Sequence, residues 1–219
     1  MTTKQKILKE ALNLFAEKGY NAVYVGDIAE AVGIKAPSLY KHYKSKQDIF
    51  NAILEEMKKS YDEQALALNM DGNNAEADAN IFSAASEDKL VQMGVHLFSY
   101  FLHDEYASKF RKILTVEQFR NIDLSMLYQR QYVDNPLSYQ AAMFSLLSAN
   151  NLLIEESADI MALHFYSPIY MLLTMCDRQP EREKEILQLI EQHIRQFNRL
   201  YVKGEQNENS SYSRTKPQG

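Results

Sequence analysis

Lys35, Tyr40, Lys41, His42, Tyr43 and Lys44 crowd the stretch IKAPSLYKHYKSKQDIF, residues 34 to 50, and Lys46 follows directly. Ammonium groups set among ring faces, hydroxyls and an imidazole suit a polyanion. The charges meet phosphates, and the donors and flat surfaces meet base edges. The chain as a whole carries a formal net charge of -5. Its first 60 residues hold ten lysines and no arginine against seven acids, or +3; the other 159 hold 14 basic against 22 acidic residues, or -8. A basic first quarter on an acidic body is the pattern of a polyanion-binding end. Any one of these lysines alone reads as solvated helix surface, and Tyr43 reads as core. The assembly carries the reading.

Other chemistries find little support. The sequence has no phosphate-cradling glycine loop, no HExxH and no cysteine with a convincing histidine partner, so no catalytic residue is assigned and an enzyme is not expected. Its carboxylates fall mostly at i,i+4 spacing on helix faces. His96 and His103 stand seven apart on one helical face with no third ligand in sequence, so no metal site and no cofactor are expected. The single cysteine, Cys176, excludes an internal disulfide and fits a reducing compartment. Whether it is a sensor or a buried structural thiol stays open. The apolar runs fall short of the roughly 20 residues of a membrane span. Lys9 and Glu10 interrupt the stretch a signal peptide would need. A soluble, cytoplasmic protein is expected, with no membrane partner.

The elements that must position the basic cluster are helical. With 46% hydrophobic residues, only 7 Gly and 5 Pro, the chain favours long helices, and no series of alternating strands is present. Ile7, Leu8, Ala11, Leu14 and Phe15 predict a helix over about 4–18, stopped by Gly19. Short helices follow at about 25–32 and from Ala36 or Pro37 to His42, with Gly33 between them. Ser45 caps a fourth from Lys46 to about 66. Ala29, Gly33 and Leu39 have the spacing of a helix-turn-helix: a small residue at the crossing, a glycine free to take positive φ, an aliphatic anchor. The segment from about 69 to 88 reads as a loop or mobile linker. Helices are expected at about 88–103, 105–119, 123–133, 137–153, 156–176 and 181–202, with Pro136 and Pro180 as punctuation. The fold class is all-α. Residues 204–219 lack an apolar period and read as a disordered tail.

Gly19-Tyr20, Asp27-Ile28-Ala29, Gly33-Ile34, Ser38-Leu39-Tyr40, His42-Tyr43 and Lys44-Ser45-Lys46 resemble the N-terminal signature of the TetR family of bacterial transcriptional regulators. The resemblance covers about residues 5–54. It implies a helix-turn-helix DNA-binding domain at 1–50, joined through the helix at about 46–66 to a helical ligand-binding and dimerisation domain at 51–203. It further implies a bacterial cytoplasmic homodimer whose partners are double-stranded DNA, as a palindromic operator, and a small-molecule effector. The residues expected on DNA are Lys35, Ala36, Pro37, Ser38, Tyr40, Lys41, His42, Lys44 and Lys46. Two positions depart from the family pattern. Tyr24 stands where Ser or Thr usually caps the second helix, leaving Asp27 to reach back alone, and Gly26 removes a base-reading side chain.

The same resemblance directs attention to the body. Met93, His96, Tyr100, Phe110, Phe119, Tyr128, Phe144 and Tyr166 are the expected linings of an effector cavity. Ile169, Leu172 and Met175, with Ile186, Leu189, Ile190, His193, Ile194 and Phe197, form the expected dimer face of the last two helices. Pro168 is expected to kink the first of these. The function expected is a ligand-responsive repressor released from its operator. The alternative is a family-like adaptor or co-activator that acts through protein partners without direct operator binding.

Overall fold

The computed structural model describes residues 1–203; the expected tail at 204–219 lies outside them. Helix α1 (Thr3–Lys18) begins in a reciprocal cap. Thr2 Oγ1 accepts the Gln5 N–H at 3.3 Å, and Gln5 Oε1 accepts the Thr2 N–H at 2.8 Å. Its buried stripe is Ile7, Leu8, Ala11, Leu12 and Phe15. Helix α2 (Val25–Val32) is opened by Asp27, whose carboxylate accepts the Tyr24 N–H at 2.7 Å, and closed by Gly33 at φ 78°, ψ 31°. That left-handed conformation favours glycine and turns the chain into α3 (Ala36–Leu39). The third helix is shorter than expected, since Tyr40, Lys41 and His42 continue as turns. Ala29 and Leu39, at 2% and 0% exposure, seal the α2–α3 crossing. Helix α4 (Lys46–Ala67) starts on Ser45, whose hydroxyl accepts the Asp48 N–H at 3.0 Å.

The expected linker is a correction. Residues Ala75–Ala84 form helix α5, because Asn74 caps its first turn by accepting the amides of Glu76 and Ala77. Asp78, fully buried on α5, accepts the N–H groups of Asp71 (2.8 Å) and Gly72 (2.9 Å) and the Tyr139 hydroxyl. A polar sequence is thus folded over one carboxylate. Beyond it run α6 (Glu87–His103), α7 (Glu105–Glu117), α8 (Ile122–Gln129), α9 (Asn135–Ala149), α10 (Ala158–Arg178) and α11 (Glu183–Tyr201).

Pro136, expected to separate two helices, does not break the chain but sits in the first turn of α9 behind a π-helical turn at Arg130–Asp134. Proline has no N–H for the carbonyl four residues back, that of Tyr132. The Tyr166 hydroxyl donates to that carbonyl instead, at 2.9 Å. Likewise α10 runs from Ala158 to Arg178 with Pro168 inside it.

One apolar core joins α1–α4 to α7 and α8, with the Phe50 and Phe110 rings 5.2 Å apart. Two others lie among α9, α10 and α11, and among α6, α10 and α11. No helix among the described residues is long and apolar enough to cross a membrane.

Candidate nucleic-acid interface and effector cavity

The turn at Gly33 and the anchor Leu39 fix which side of α3 faces outward. Tyr40 is 51% exposed, and Lys35, Pro37, Lys41, His42 and Lys44 are exposed with it. Ala36 and Ser38 are half-buried, and Tyr43 is buried in the core. Lys4 reaches over the Tyr43 ring from α1, its amine 5.4 Å from the centroid. The cluster is therefore one surface of cations, a phenol and an imidazole around a short helix. A Cβ at Gly26 would meet nothing, so that position leaves the surface bare.

Lys46 is the exception. Its amine donates to the carbonyls of Tyr20 (2.8 Å) and Val23 (2.9 Å) and lies 4.4 Å from the Tyr20 ring centroid. Burial pushes its pKa down, and the nearby Glu117 carboxylate partly opposes this. Lys46, expected on phosphate, is half-buried and braces the α1–α2 loop.

Glu117, at the end of α7, holds the same loop from the other side. It is 1% exposed; Oε1 accepts the Tyr20 N–H at 2.9 Å, and Oε2 accepts the Asn21 side-chain amide at 3.4 Å. Gly19 lets it approach, since its φ is +85° and a Cβ there would lie 2.7 Å from Glu117 Oε1. One turn and a half back on α7, Arg111 is fully buried and donates to both Asp177 oxygens at 2.8 Å and to the Phe101 carbonyl at 2.9 Å. Helix α7 therefore ties α10, at Arg111, to the α1–α2 loop, at Glu117. Sequence patterning missed Glu117, because nothing local distinguishes a buried carboxylate 97 residues from its partner.

A cavity of about 1380 Å³ opens among α4, α5, α6, α9, α10 and α11. Of the expected linings, Met93, Tyr100, Phe144 and Tyr166 are in its wall. The other four need correction. His96 is exposed, with Nε2 3.0 Å from Gln64 Oε1; Phe110 is core against Phe50. Phe119 is 85% exposed because α7 stops at Glu117. Tyr128 stands behind the wall, its hydroxyl 2.8 Å from that of Tyr170. His103 meets Glu183 at 2.8 Å, so the two histidines serve different partners. The wall also contains Gln140 and Asn198, which sequence patterning did not single out.

The expected dimer face also needs correction. Leu172, Ile186, Ile190, Ile194 and Phe197 are at most 6% exposed inside the protomer, so they offer no surface to a partner. Ile169 lines the cavity, Met175 is half-buried against the protomer's own core, and His193 Nε2 donates to the Phe165 carbonyl at 2.8 Å. Of the residues expected there, Leu189 alone is exposed. The outward apolar residues of these helices are Ile160, Leu163, Met171, Leu189 and Leu200.

Residues 7–53 match the family described as bacterial regulatory proteins, tetR family. The biofilm operon icaADBC HTH-type negative transcriptional regulator IcaR of Staphylococcus epidermidis is 44% identical over 52 residues, 24% of this chain and 28% of that protein. Its namesake from Staphylococcus aureus strain Newman is 49% identical over 47 residues, 22% of this chain and 25% of that one. The match thus spans about a quarter of the length of these curated relatives. Among solved structures, the SmeT–triclosan complex superposes with a TM-score of 0.69 at 18% identity over 94% of each chain. SmeT is the repressor of the Stenotrophomonas maltophilia multidrug efflux pump SmeDEF; at that identity the likeness is one of fold. The helix-turn-helix of residues 7–53 is that of the bacterial regulatory proteins of the tetR family, and the all-helical body that follows shares the fold of SmeT.

Proposed function

We propose that the protein is a dimeric, sequence-specific DNA-binding transcriptional regulator, a repressor released from a palindromic operator by a small molecule. Residues 1–50 are its DNA-binding domain and residues 51–203 its effector and dimer body. The observation that carries this reading is the α2–turn–α3 unit, which presents Tyr40, Lys41, His42 and Lys44 outward from a sealed crossing. The negative regulators that match over the first fifty residues support repression as the sense of control.

Release follows from the tie along α7. An effector in the cavity displaces the walls of α6 and α10, and Arg111 and Glu117 carry the shift to the loop that seats α2 and α3. Coupling of about 1–3 kcal/mol would lower operator affinity by about 5- to 150-fold. The test is selection of bound duplexes from sheared genomic DNA, with wild type beside Tyr40→Ala/Lys41→Ala. The wild type should enrich one inverted repeat, with an affinity that falls steeply with salt, and the variant should not. Enrichment of no repeat by a folded wild type would count against operator binding.

A further inference from the structure

We propose that the cavity takes an uncharged, largely apolar molecule with flat aromatic surface and at least one hydrogen-bonding group, received by the side-chain amides of Gln140 and Asn198. The inference rests on the reading of this cavity as the effector site. Its volume, about 1380 Å³, exceeds the roughly 300–1,000 Å³ common for small-molecule clefts, so a large ligand fits. Rings dominate the wall: Phe98, Phe144, Phe165, Tyr166, Tyr170 and Phe197 all reach it.

The charged residues that touch the cavity are all exposed at its rim: Lys58, Asp62, Glu87 and Arg199. Two of them already have partners, Lys58 with Glu55 at 3.2 Å and Glu87 with Arg195 at 2.7 Å. A ligand charge carried inside would lose its water and meet no counter-ion in the wall. The wall tyrosines do not supply one, because burial raises the pKa of Tyr166 and Tyr170 and keeps both neutral. Their hydroxyls are also engaged, Tyr166 with the Tyr132 carbonyl and Tyr170 with Tyr128.

The amides differ from these. Gln140 and Asn198 both line the cavity, and each has one amide end, Oε1 and Nδ2 respectively, turned away from it and without a hydrogen-bond partner among the described residues. A buried amide end left unpaired is costly, and a side-chain rotation that brings it to the cavity lets a ligand relieve it. A half-turn about the last side-chain torsion exchanges carbonyl and NH₂, so either amide can present a donor or an acceptor.

The test uses the full chain and four probes of one shape. N-phenyl-1-naphthylamine is neutral with one N–H, and 1-benzylnaphthalene has no polar group. 8-Anilino-1-naphthalenesulfonate adds a negative charge to the same skeleton, and a trimethylammonium derivative adds a positive one. Binding is read by fluorescence and displacement, with melting temperature and operator binding followed in parallel. The amine should bind about tenfold or more tighter than either charged probe. Gln140→Met with Asn198→Leu should abolish the amine's advantage over the hydrocarbon while hydrocarbon binding persists, which also shows that the cavity still forms. Equal or tighter binding of a charged probe overturns the ligand class, as does an unchanged amine-to-hydrocarbon ratio in the double variant. If no probe binds or raises the melting temperature of a chain that still holds operator DNA, the effector-cavity reading itself falls.

Discussion

Asp78 has no solvent exposure and, among the described residues, no cation for a partner; its carboxylate is balanced by the amides of Asp71 and Gly72 and the Tyr139 hydroxyl. Those three donors come from the end of the α4–α5 connection and from α9, so one side chain closes that corner of the body. Asp78→Ala should leave all three without an acceptor and destabilise the protein by about 3 kcal/mol or more, measured by urea denaturation. Tyr139→Phe removes only one donor from a carboxylate that keeps two, and should cost about 1 kcal/mol. Cys176 is the opposite case, a group whose surroundings silence it. At 1% exposure its thiol pKa is pushed up, first by burial and then by the nearby Glu183 and Asp177 carboxylates. The thiolate is the reactive form, and raising the pKa keeps it scarce at neutral pH. Native protein at pH 7 should therefore resist iodoacetamide for hours and be alkylated promptly in denaturant. Rapid native labelling, read by mass spectrometry, would instead mark Cys176 as a candidate sensor.

Among the elements, α7 bears the connection between the two ends of the molecule, and the residue that decides it is Glu117. Glu117→Ala strips the acceptor from the buried Tyr20 N–H and leaves the α1–α2 loop to Lys46 and to the Tyr20–Gln47 hydrogen bond. A loss of about 1–3 kcal/mol is expected, confined to the unit of α1–α4. Hydrogen exchange should quicken at residues 19–24 and remain unchanged in α9–α11. Glu117→Gln retains a carbonyl for Tyr20 and should recover part of the loss. Uniform quickening across the chain would mean that Glu117 supports the whole fold rather than this joint. The same helices show where sequence patterning succeeds. Helices α1 to α4 were legible because their signals are local: a glycine at positive φ, Ser45 before Asp48, an apolar stripe on each helix. Helix α5 was not, because Asp78, the buried carboxylate that anchors it, takes one of its donors from Tyr139, 61 residues away. The face of α11 failed for another reason. The period of Ile186, Ile190, Ile194 and Phe197 establishes a buried stripe but not what buries it, and α6 and α10 of the same chain do so. Gln140 and Asn198 looked like any polar helix residues until the cavity stood beside them.

In the whole molecule, the outward face of the last two helices remains to be accounted for. Ile160, Leu163 and Met171 repeat along one side of α10 at 49%, 43% and 56% exposure, and Leu189 and Leu200 lie on α11 at 36% and 57%. Apolar exposure on both of these helices suits an isologous contact, in which the same face of a second copy covers it. A regulator that reads an inverted repeat needs that symmetry, since each recognition helix contacts one half-site and the dimer sets their separation. Leu163→Glu with Met171→Glu places two charges on the ridge while the inward stripe stays intact. The double variant should keep its helical content and sediment as a monomer at concentrations where the wild type sediments as a dimer. It should also lose the inverted repeat, because a single half-site leaves mainly the salt-sensitive phosphate contacts. A wild type that is monomeric at micromolar concentration, or a double variant still dimeric, would move the two-fold contact to another surface. The spacing between recognition helices would then have to be set by the DNA alone.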